Sequence, residues 1–423
     1  MKFRDFHPNI KIRIVVQFFT NLATMMVVPY LAIYFASRVG ETITGIMFLT
    51  VICSGVAGGF VGGFYGDRLG RKKLLVISEC FVGITYLLIA LSNSSWFESI
   101  PVTFILFIIN MFFVGVFAPA SQAMVIDVSA SEERKYVFGF MYWSFNLSLA
   151  LGGLIGAYLF ETYRFALFLS VAIISLFSML TTIIFISETH QRNEKATPAT
   201  GRETNFVGTY KQVLRDKVFL LFVFAGILIS SVENQLTNYI GIRLAKELPA
   251  QAFLPFQVFP LEVDGMRMLG ILRTENTLLV VLFTTIVTAI MKRYHDRNVL
   301  TWGIFFFTLG FMVLGFSNQP WVLLLAMLVL SIGELMYIPI KQAILGDIPP
   351  THLRSSYMAI NGMTQYIAMM VGAVGITLGS FLSSWTMSLL FAVMGFGGLL
   401  LLRSVLREVA GRRKLNKEQE ISA

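Results

Sequence analysis

Residues 119–127 (PASQAMVID) recur in the second half of the chain as residues 339–347 (PIKQAILGD). Proline, glutamine, alanine and aspartate hold the same places in both copies. An arginine follows each copy at the same spacing, Arg134 after the first and Arg354 after the second. Each copy also closes the fourth long apolar segment of its half. The repetition predicts a duplicated fold made of two similar halves.

The composition identifies the environment of these halves. Hydrophobic residues make up 56% of the 423 residues and charged residues 13%, about half the charged fraction of a globular protein. Such a chain has too little polar surface to cover a soluble domain. Its 39 Phe and two Cys, both in apolar runs, exclude disordered and disulfide-stapled classes. We therefore expect a polytopic membrane protein.

Twelve segments are long and apolar enough to span a membrane as helices, which requires roughly 20 residues each. No alternation of the kind found in outer-membrane barrel strands occurs. We expect no cleavable signal peptide, because the first apolar segment is too long and lacks a small-residue cleavage site. The predicted fold is an all-α membrane protein with twelve transmembrane helices in two six-helix repeats. The predicted spans are 12–37, 43–65, 74–93, 100–127, 136–160, 164–187, 218–241, 271–291, 299–317, 320–341, 357–382 and 385–403.

The net charge of +9 reflects topology. If both termini are cytoplasmic, the inner side collects most of the Lys and Arg, as the positive-inside rule requires. We therefore expect a multi-pass protein of the bacterial plasma membrane with no nucleic-acid partner. The basic residues left on the outer side are Arg38, Arg164, Arg243, Lys246, Arg267 and Arg273.

One long polar interruption divides the chain. It predicts an N-terminal six-helix bundle at 1–188, a cytoplasmic linker at 189–217 and a C-terminal six-helix bundle at 218–405. A basic cytoplasmic tail follows at 406–423. Parallel six-span repeats of this kind build many secondary transporters, with the substrate site between the halves near the midplane.

The loop after the second span reads GGFYGDRLGRKK from Gly62 to Lys73, and its Asp67-Arg68 pair recurs as Asp296-Arg297. The glycines permit close packing of the second span on a neighbouring helix. Asp67 can lie at a helix N-terminus, where negative charge is favoured. The alternative is an ordinary positively charged inner turn, which does not by itself explain this order of glycines and charges.

This loop resembles the signature loop of the major facilitator superfamily, and the resemblance extends over twelve spans and both repeats. Within that superfamily, the chain resembles the proton-driven multidrug antiporters of Gram-positive bacteria. The similar blocks include Tyr142-Trp143, Gly333-Glu334 and Arg267-Met268-Leu269. One such antiporter has a carboxylate directly before its Tyr-Trp pair, where this chain has Met141. One titrating site of that antiporter is therefore missing here.

The resemblance implies roles for the matching positions. Asp67 and Asp127 would form a cytoplasmic gate with Arg71 or Arg134. Glu233 and Glu334 would handle protons and cationic substrate, and Asp127 is also expected in proton coupling. The complete set of implied gate residues is Gly63, Gly66, Asp67, Arg68, Gly70, Arg71, Lys72 and Arg134.

The position of Glu334 and Glu233 inside apolar spans indicates a functional role for both residues independently of the family resemblance. Each lies within roughly one turn of the centre of its span, where an ionisable group is expensive and usually functional. The alternative is a protonated, hydrogen-bonded packing residue. For Glu79, function and pairing at the inner interface are both open. Arg13 either pairs with an acidic group or belongs to the inner basic belt.

A pocket for amphipathic cations needs aromatic faces and some polar groups. Each candidate can also be a packing residue between helices. The candidates are Asn21, Tyr34, Asn110, Tyr142, Asn146, Asn238, Tyr337, Asn361 and Gln365.

The sequence shows no nucleotide-binding loop, no metal-spaced histidines and no nucleophile–base pair. We therefore expect a non-enzymatic transporter without cofactor or metal, a monomer that binds protons and small molecules in the lipid bilayer. The main hypothesis is a proton-coupled exporter of lipophilic, often cationic compounds. The alternatives are the same fold with a dedicated lipid, sugar, peptide or siderophore substrate, and a membrane receptor or scaffold.

Overall fold

The computed structural model describes residues 3–189, 205–252, 262–291 and 293–422, which are almost entirely helical. Short 3-10 turns lie at Phe3–Asp5, Asn234–Leu236 and Thr351–Leu353, and β1 (Gln251–Ala252) pairs antiparallel with β2 (Glu262–Val263). The helices are α1 Pro8–Val39, α2 Glu41–Gly66, α3 Arg71–Leu91, α4 Ile100–Asp127, α5 Arg134–Phe185, α6 Phe206–Val213, α7 Lys217–Glu233, α8 Tyr239–Glu247, α9 Gly265–Met291, α10 Asp296–Phe316, α11 Pro320–Asp347, α12 Arg354–Gly379 and α13 Ser384–Ser422.

Ten helical stretches of the described residues are long and apolar enough to cross a membrane. One of these, α5, has 52 residues and a non-helical backbone at Tyr163 (φ −120°, ψ 34°). This break separates the two spans predicted at 136–160 and 164–187. In addition, α9 coincides with the span predicted at 271–291. The all-α membrane fold is therefore confirmed, and each of the twelve predicted spans falls on a helical segment of the described residues.

The span predicted at 218–241 is not one continuous helix. It ends as an α-helix at Glu233 and resumes at Tyr239 after a 3-10 turn. Polar side chains bond to the backbone at this point. Asn234 Nδ2 donates to the Ser230 carbonyl at 2.8 Å, and Gln235 Nε2 donates to the Ser231 carbonyl at 3.3 Å. Such side chains compete with the helical hydrogen-bond ladder, which explains the interruption.

The chain forms two compact units, each with its own apolar core. Unit 1 contains α1 to α4, α5 from Phe140 onward, α6 and Pro349–Gly362, which includes the first turns of α12. Unit 2 contains Arg134–Gly139, α7 to α11, and the rest of α12 with α13. The predicted bundle boundaries at 188 and 218 remain a prediction. The predicted linker contains α6, and its residues 190–204 lie outside the described part of the chain.

Glycines set the close helix contacts in unit 1. A Cβ atom on Gly62 would collide with the backbone of Val116, and one on Gly58 with the backbone of Phe112. Both contacted residues lie on α4, so α4 is the neighbour on which the second span packs through its small residues. In unit 2, Gly303 of α10 and Gly333 of α11 meet in the same way.

Candidate functional site

Asp127, the last residue of α4, binds two arginines that each begin a helix. Its carboxylate forms ion pairs with Arg71 of α3 and Arg354 of α12, and it accepts a 3.0 Å hydrogen bond from Thr189 Oγ1. Arg71 is only 1% exposed. A buried guanidinium without a counter-charge would be strongly destabilising, so Asp127 and Arg71 depend on each other.

Asp67 lies at the N-terminus of α12. Its carboxylate accepts the backbone N–H groups of Ser355 and Ser356, each at 2.8 Å, and the Ser356 hydroxyl at 2.8 Å. Burial raises the pKa of the Asp67 carboxyl, while these hydrogen bonds and the charge of Arg71 act in the opposite direction. The free N–H groups of a helix N-terminus suit an anion, as the sequence predicted for Asp67.

Two motif glycines allow this contact. A Cβ atom on Gly66 would lie 2.8 Å from Ser355 Oγ, and one on Gly63 would lie 2.6 Å from both the Ala359 Cβ and the Tyr210 hydroxyl. These distances are too short for real atoms. Glycine at both positions therefore brings α2 against the start of α12 and against α6.

Gly70 and Glu188 together shape the start of α3. Gly70 has φ of 92°, in the region that favours glycine. The carboxylate of Glu188 accepts the backbone N–H groups of Arg71 and Lys72, each at 3.0 Å. Glu188 therefore caps α3 although it lies 117 residues after Arg71 in the sequence, a role that no local pattern indicated.

The second copy of the repeat makes a matching set of contacts. Arg134 at the start of α5 pairs with Asp347 at the end of α11, and both are buried. Next to them, Lys135 pairs with Asp296, which begins α10. The aspartate of each PxxQAxxxD copy therefore binds the arginine that follows the other copy.

We name the contacts of Asp67, Arg71, Asp127 and Arg354 the signature-loop network. Of the expected gate residues, Arg68 lies outside these contacts and places its guanidinium 4.0 Å from the ring centroid of Phe64. The predicted partner of Asp127 was Arg71 or Arg134. The structure gives Arg71 together with Arg354, and Arg134 binds Asp347 instead.

Glu334 is buried in α11 and has a specific partner. Asn276 of α9 donates its Nδ2 to Glu334 Oε2 at 2.8 Å and to Ser331 Oγ at 3.0 Å. One amide therefore joins the carboxylate and a hydroxyl one turn earlier on the same helix. This arrangement fixes the position of a carboxylate that is only 6% exposed.

Glu233, at the end of α7, lies within electrostatic range of Glu334 and of Lys341. Tyr337 is buried beside both carboxylates and packs edge-to-face against Phe307 with ring centroids 5.1 Å apart. The structure thus brings the two predicted acidic residues together in unit 2. We name Glu233, Glu334, Asn276 and Lys341 the embedded cluster.

Sequence reasoning missed two members of this region. Asn276 and its neighbour Glu275 are polar residues inside the span predicted at 271–291. The rule that selected Glu334, an ionisable group within a span, also selects Glu275. Lys341 was assigned to the inner basic belt, although it lies only two helical turns from Glu334.

The predicted pocket residues occupy different environments. Tyr34 lines a cavity of about 450 Å³ in unit 1, where the Arg164 guanidinium lies 4.3 Å from its ring centroid. Asn110 donates to Thr85 Oγ1 at 2.7 Å and so links α4 to α3.

The remaining pocket candidates are distributed over α1, α5, α11, α12 and the break before α8. Asn146 donates to the carbonyl of Tyr142 one turn earlier at 2.9 Å. Asn238 lies at the break before α8. Asn21 and Asn361 are half-buried, and Gln365 is exposed. Their role in substrate binding remains a prediction.

Arg13 and Glu79, whose roles the sequence left open, bind each other inside unit 1. Arg13 Nη1 lies 3.0 Å from Glu79 Oε1, and Arg13 Nη2 donates to Ser121 Oγ at 2.8 Å. Ser178 Oγ donates to Glu79 Oε1 at 2.7 Å, and the Arg13 guanidinium lies 4.8 Å from the Phe117 ring centroid. This pair joins α1, α3, α4 and α5.

Within the described ranges, no group of three or more His, Cys, Asp or Glu side chains is arranged to hold a metal ion.

The sequence of this chain is similar to those of known membrane transporters. The profile of the Major Facilitator Superfamily matches residues 14–261 and 265–422. A Na(+), Li(+), K(+)/H(+) antiporter of Planococcus maritimus is 33% identical over 93% of this chain and 95% of its own length. The class B tetracycline resistance protein of Escherichia coli is 21% identical over 74% of this chain and 72% of its own length.

Solved structures share the fold. The crystal structure of the human organic anion transporter MFSD10 superposes with a TM-score of 0.67 at 15% identity, covering 93% of this chain and 99% of that protein. The proton:xylose symporter XylE superposes with a TM-score of 0.65 at 16% identity, covering 93% and 95%. At this level of identity the likeness concerns the fold alone.

Proposed function

Because the chain belongs to the Major Facilitator Superfamily, we propose that it is a proton-coupled antiporter that exports lipophilic, often cationic compounds. A transporter of this family is not an enzyme, so its site must bind and release the substrate without changing it chemically, while its own carboxylates gain and lose protons. The embedded cluster and the signature-loop network supply the groups for these two tasks.

The observation that carries the proposal is the burial of Glu334 beside a second carboxylate, Glu233. An ionised carboxylate within a span needs a proton, a cation or a donor as partner. Asn276 supplies one hydrogen bond to Glu334, whose single negative charge is neutralised either by a proton or by a cation. Proton and cationic substrate therefore compete for the same group, which is the requirement for exchanging one for the other.

The signature-loop network supports alternating access. We infer that residues 1–188 rock against residues 218–405 and that the ion pairs of Asp127 break and re-form in each cycle. Ion pairs at the ends of helices suit such a role because their formation is reversible and depends on the approach of whole helices.

The available energy is sufficient for export. One elementary charge crossing the membrane releases about 2.3 kcal/mol per 100 mV. A pH difference adds about 1.36 kcal/mol per unit. One proton per neutral substrate therefore supports an accumulation of tens- to hundreds-fold.

The test is dye transport in inside-out membrane vesicles, with ethidium and Hoechst dye as probes. The variants are wild type, Glu334→Gln and Glu408→Gln, in which the same chemical change is made at an exposed carboxylate of α13. We expect transport in wild type and in Glu408→Gln that an uncoupler abolishes. We expect none in Glu334→Gln at equal expression.

Wild-type transport by Glu334→Gln would exclude the proton role of this residue. Failure of well-folded wild-type protein to move either dye would instead favour a dedicated physiological substrate, with the fold unchanged.

Monovalent alkali cations are a second candidate substrate class. The similarity to the antiporter of Planococcus maritimus favours them, and two neighbouring carboxylates suit a small cation as well as an organic one. Addition of Na⁺, Li⁺ or K⁺ to acidified inside-out vesicles should then collapse the pH gradient, read with acridine orange. A response to these ions without dye transport would make this class the substrate.

The proposal includes location and assembly. We propose a monomer in the bacterial plasma membrane with both termini in the cytoplasm, in accord with the distribution of Lys and Arg. Reporter fusions at the two ends and detergent-corrected mass measurement would test these two points separately.

A further inference from the structure

A groove of about 810 Å³ runs along one face of α9 in unit 2. It extends from Arg267 to Leu282 and is bounded at one end by Val263. Its members recur at intervals of three and four residues, so they form one stripe of the helix. Neither the embedded cluster nor the signature-loop network lines this groove.

The walls of the groove are mostly apolar. Ile271, Leu278, Leu279 and Leu282 line it, and Leu278 and Leu282 are 54% and 61% exposed. Because α9 coincides with a predicted span, this leucine stripe adjoins lipid acyl chains, and a ligand with an apolar body keeps apolar surroundings when it binds there. The walls therefore favour a ligand with a large apolar body.

The charges in the groove are not balanced. Arg267 has Asp264 as counter-charge at 3.7 Å, and Thr274 Oγ1 donates to the Gly270 carbonyl at 2.9 Å. Glu275 Oε2 is buried and has no hydrogen-bond partner within the described ranges. Arg267 precedes Glu275 by two helical turns, about 12 Å along the axis. A buried carboxylate oxygen without a partner is the group that a cation would neutralise.

We propose that this groove is a binding site for a lipophilic cation, with Glu275 as the counter-charge and the leucine stripe as the apolar wall. An anionic ligand is excluded because the negative charge of Glu275 would repel it. A bare alkali ion needs several oxygen ligands, and the described residues of the groove offer one free carboxylate. A cation whose charge lies inside an apolar body needs only the carboxylate and the walls.

The site is joined to the embedded cluster by a single peptide bond. Glu275 lines the groove, and the next residue, Asn276, holds Glu334. Occupation of the groove therefore acts on the helix that positions the embedded carboxylate. The link between the groove and transport rests on the proposed function. Binding of a lipophilic cation in the groove does not depend on that function.

The test measures binding of radiolabelled tetraphenylphosphonium to the purified full-length chain. Glu275→Gln should weaken binding about tenfold, the loss of one charge interaction in a partly buried site. Glu275→Asp should retain most of the affinity, and Glu408→Gln should leave it unchanged. Tetraphenylborate, which has the same shape and the opposite charge, should not compete.

A second variant fills the groove without touching its charge. Gly270 lines the groove, and a Cβ atom there meets nothing within 4 Å. Gly270→Phe should therefore fold and should reduce tetraphenylphosphonium binding by its bulk. Each variant is checked first for a single symmetrical peak in size-exclusion chromatography.

Unchanged tetraphenylphosphonium affinity in both Glu275→Gln and Gly270→Phe would refute the site. Equal competition by tetraphenylborate would assign the groove to apolar ligands such as a lipid acyl chain and would also refute it. Dye transport in vesicles is read separately. If Glu275→Gln loses tetraphenylphosphonium binding and the wild-type protein transports no dye, the groove is supported and the exporter function is rejected. If the wild-type protein transports dye and Glu275→Gln binds tetraphenylphosphonium normally, only the groove is rejected.

Discussion

Asp347 pairs with Arg134, a residue 213 positions earlier in the chain. The corresponding residues of the other copy, Asp127 and Arg354, pair as well. Each aspartate therefore binds the arginine that follows the other copy of the repeat. The two motifs therefore hold the ends of α4 and α11 against the starts of α12 and α5, respectively.

This reciprocity predicts the outcome of a charge exchange. Arg134→Asp should place two carboxylates together and cost about 3–5 kcal/mol, as expected when a buried pair is broken. Asp347→Arg should have a similar effect. The double variant restores opposite charges and should recover most of the melting temperature and the dye transport. A double variant that is as unstable as the sum of the single variants would contradict the pairing.

The close approach of α2 to the start of α12 predicts a strict requirement for glycine. Gly66→Val should displace Ser355 and the N-terminus that binds Asp67, at a cost of about 1–3 kcal/mol for overpacking. Gly45→Val makes the same change on the same helix, where a Cβ atom meets nothing within 4 Å. Thermal unfolding and dye transport should both fall in the first variant only. Equal behaviour of the two variants would rule out the packing role.

The bond between Asn276 and Glu334 predicts coupled effects. Asn276→Ala should weaken dye binding in the wild-type background, with a coupling energy of about 0.5–3 kcal/mol, and should have little further effect when Glu334 is already Gln. The readout is dye fluorescence titration of the four purified variants. Asn298→Ala, at an exposed asparagine of α10, provides the control. Additive effects of the two changes would show that Asn276 acts independently of Glu334.

The buried pair of Arg13 and Glu79 predicts opposite effects of single and double replacement. Glu79→Gln leaves the guanidinium without a counter-charge and should cost about 3–5 kcal/mol. Replacing both residues by Leu and Met removes both charges and should recover stability to near the wild-type value. Thermal unfolding of the detergent-solubilised chain decides between these outcomes. A double variant less stable than Glu79→Gln would mean that the serine contacts dominate.

Much of the fold could be predicted because a membrane span needs a fixed length of apolar sequence. The gap between the spans predicted at 136–160 and 164–187 coincides with the break of α5 at Tyr163. The break after Glu233 could not be predicted in the same way. There, a few side-chain amides bond to the backbone inside a segment whose mean hydropathy still meets the length rule.

The site was predictable in its residue types and less so in its partners. Glu334 and Glu233 were found because buried charge is rare in a span. Arg354 as partner of Asp127, and the N–H groups of α12 as partners of Asp67, depend on which helix ends meet. The equal spacing of the two motifs in the sequence does not indicate which helix ends meet in the fold. Glu275 satisfied the same rule as Glu334 and was overlooked beside the polar Asn276.

The two aspartate–arginine pairs, each joining the two copies of the repeat, resemble the contacts of a symmetric homodimer. In a symmetric homodimer, a residue i of one subunit contacts j of the other, and j of the first contacts i of the second. The pairs Asp127–Arg354 and Arg134–Asp347 have this form within one chain. The same pattern is expected when two copies of one six-helix subunit are joined into a single chain. In a single chain the two pairs can differ in their surroundings, and Asp127 also binds Arg71.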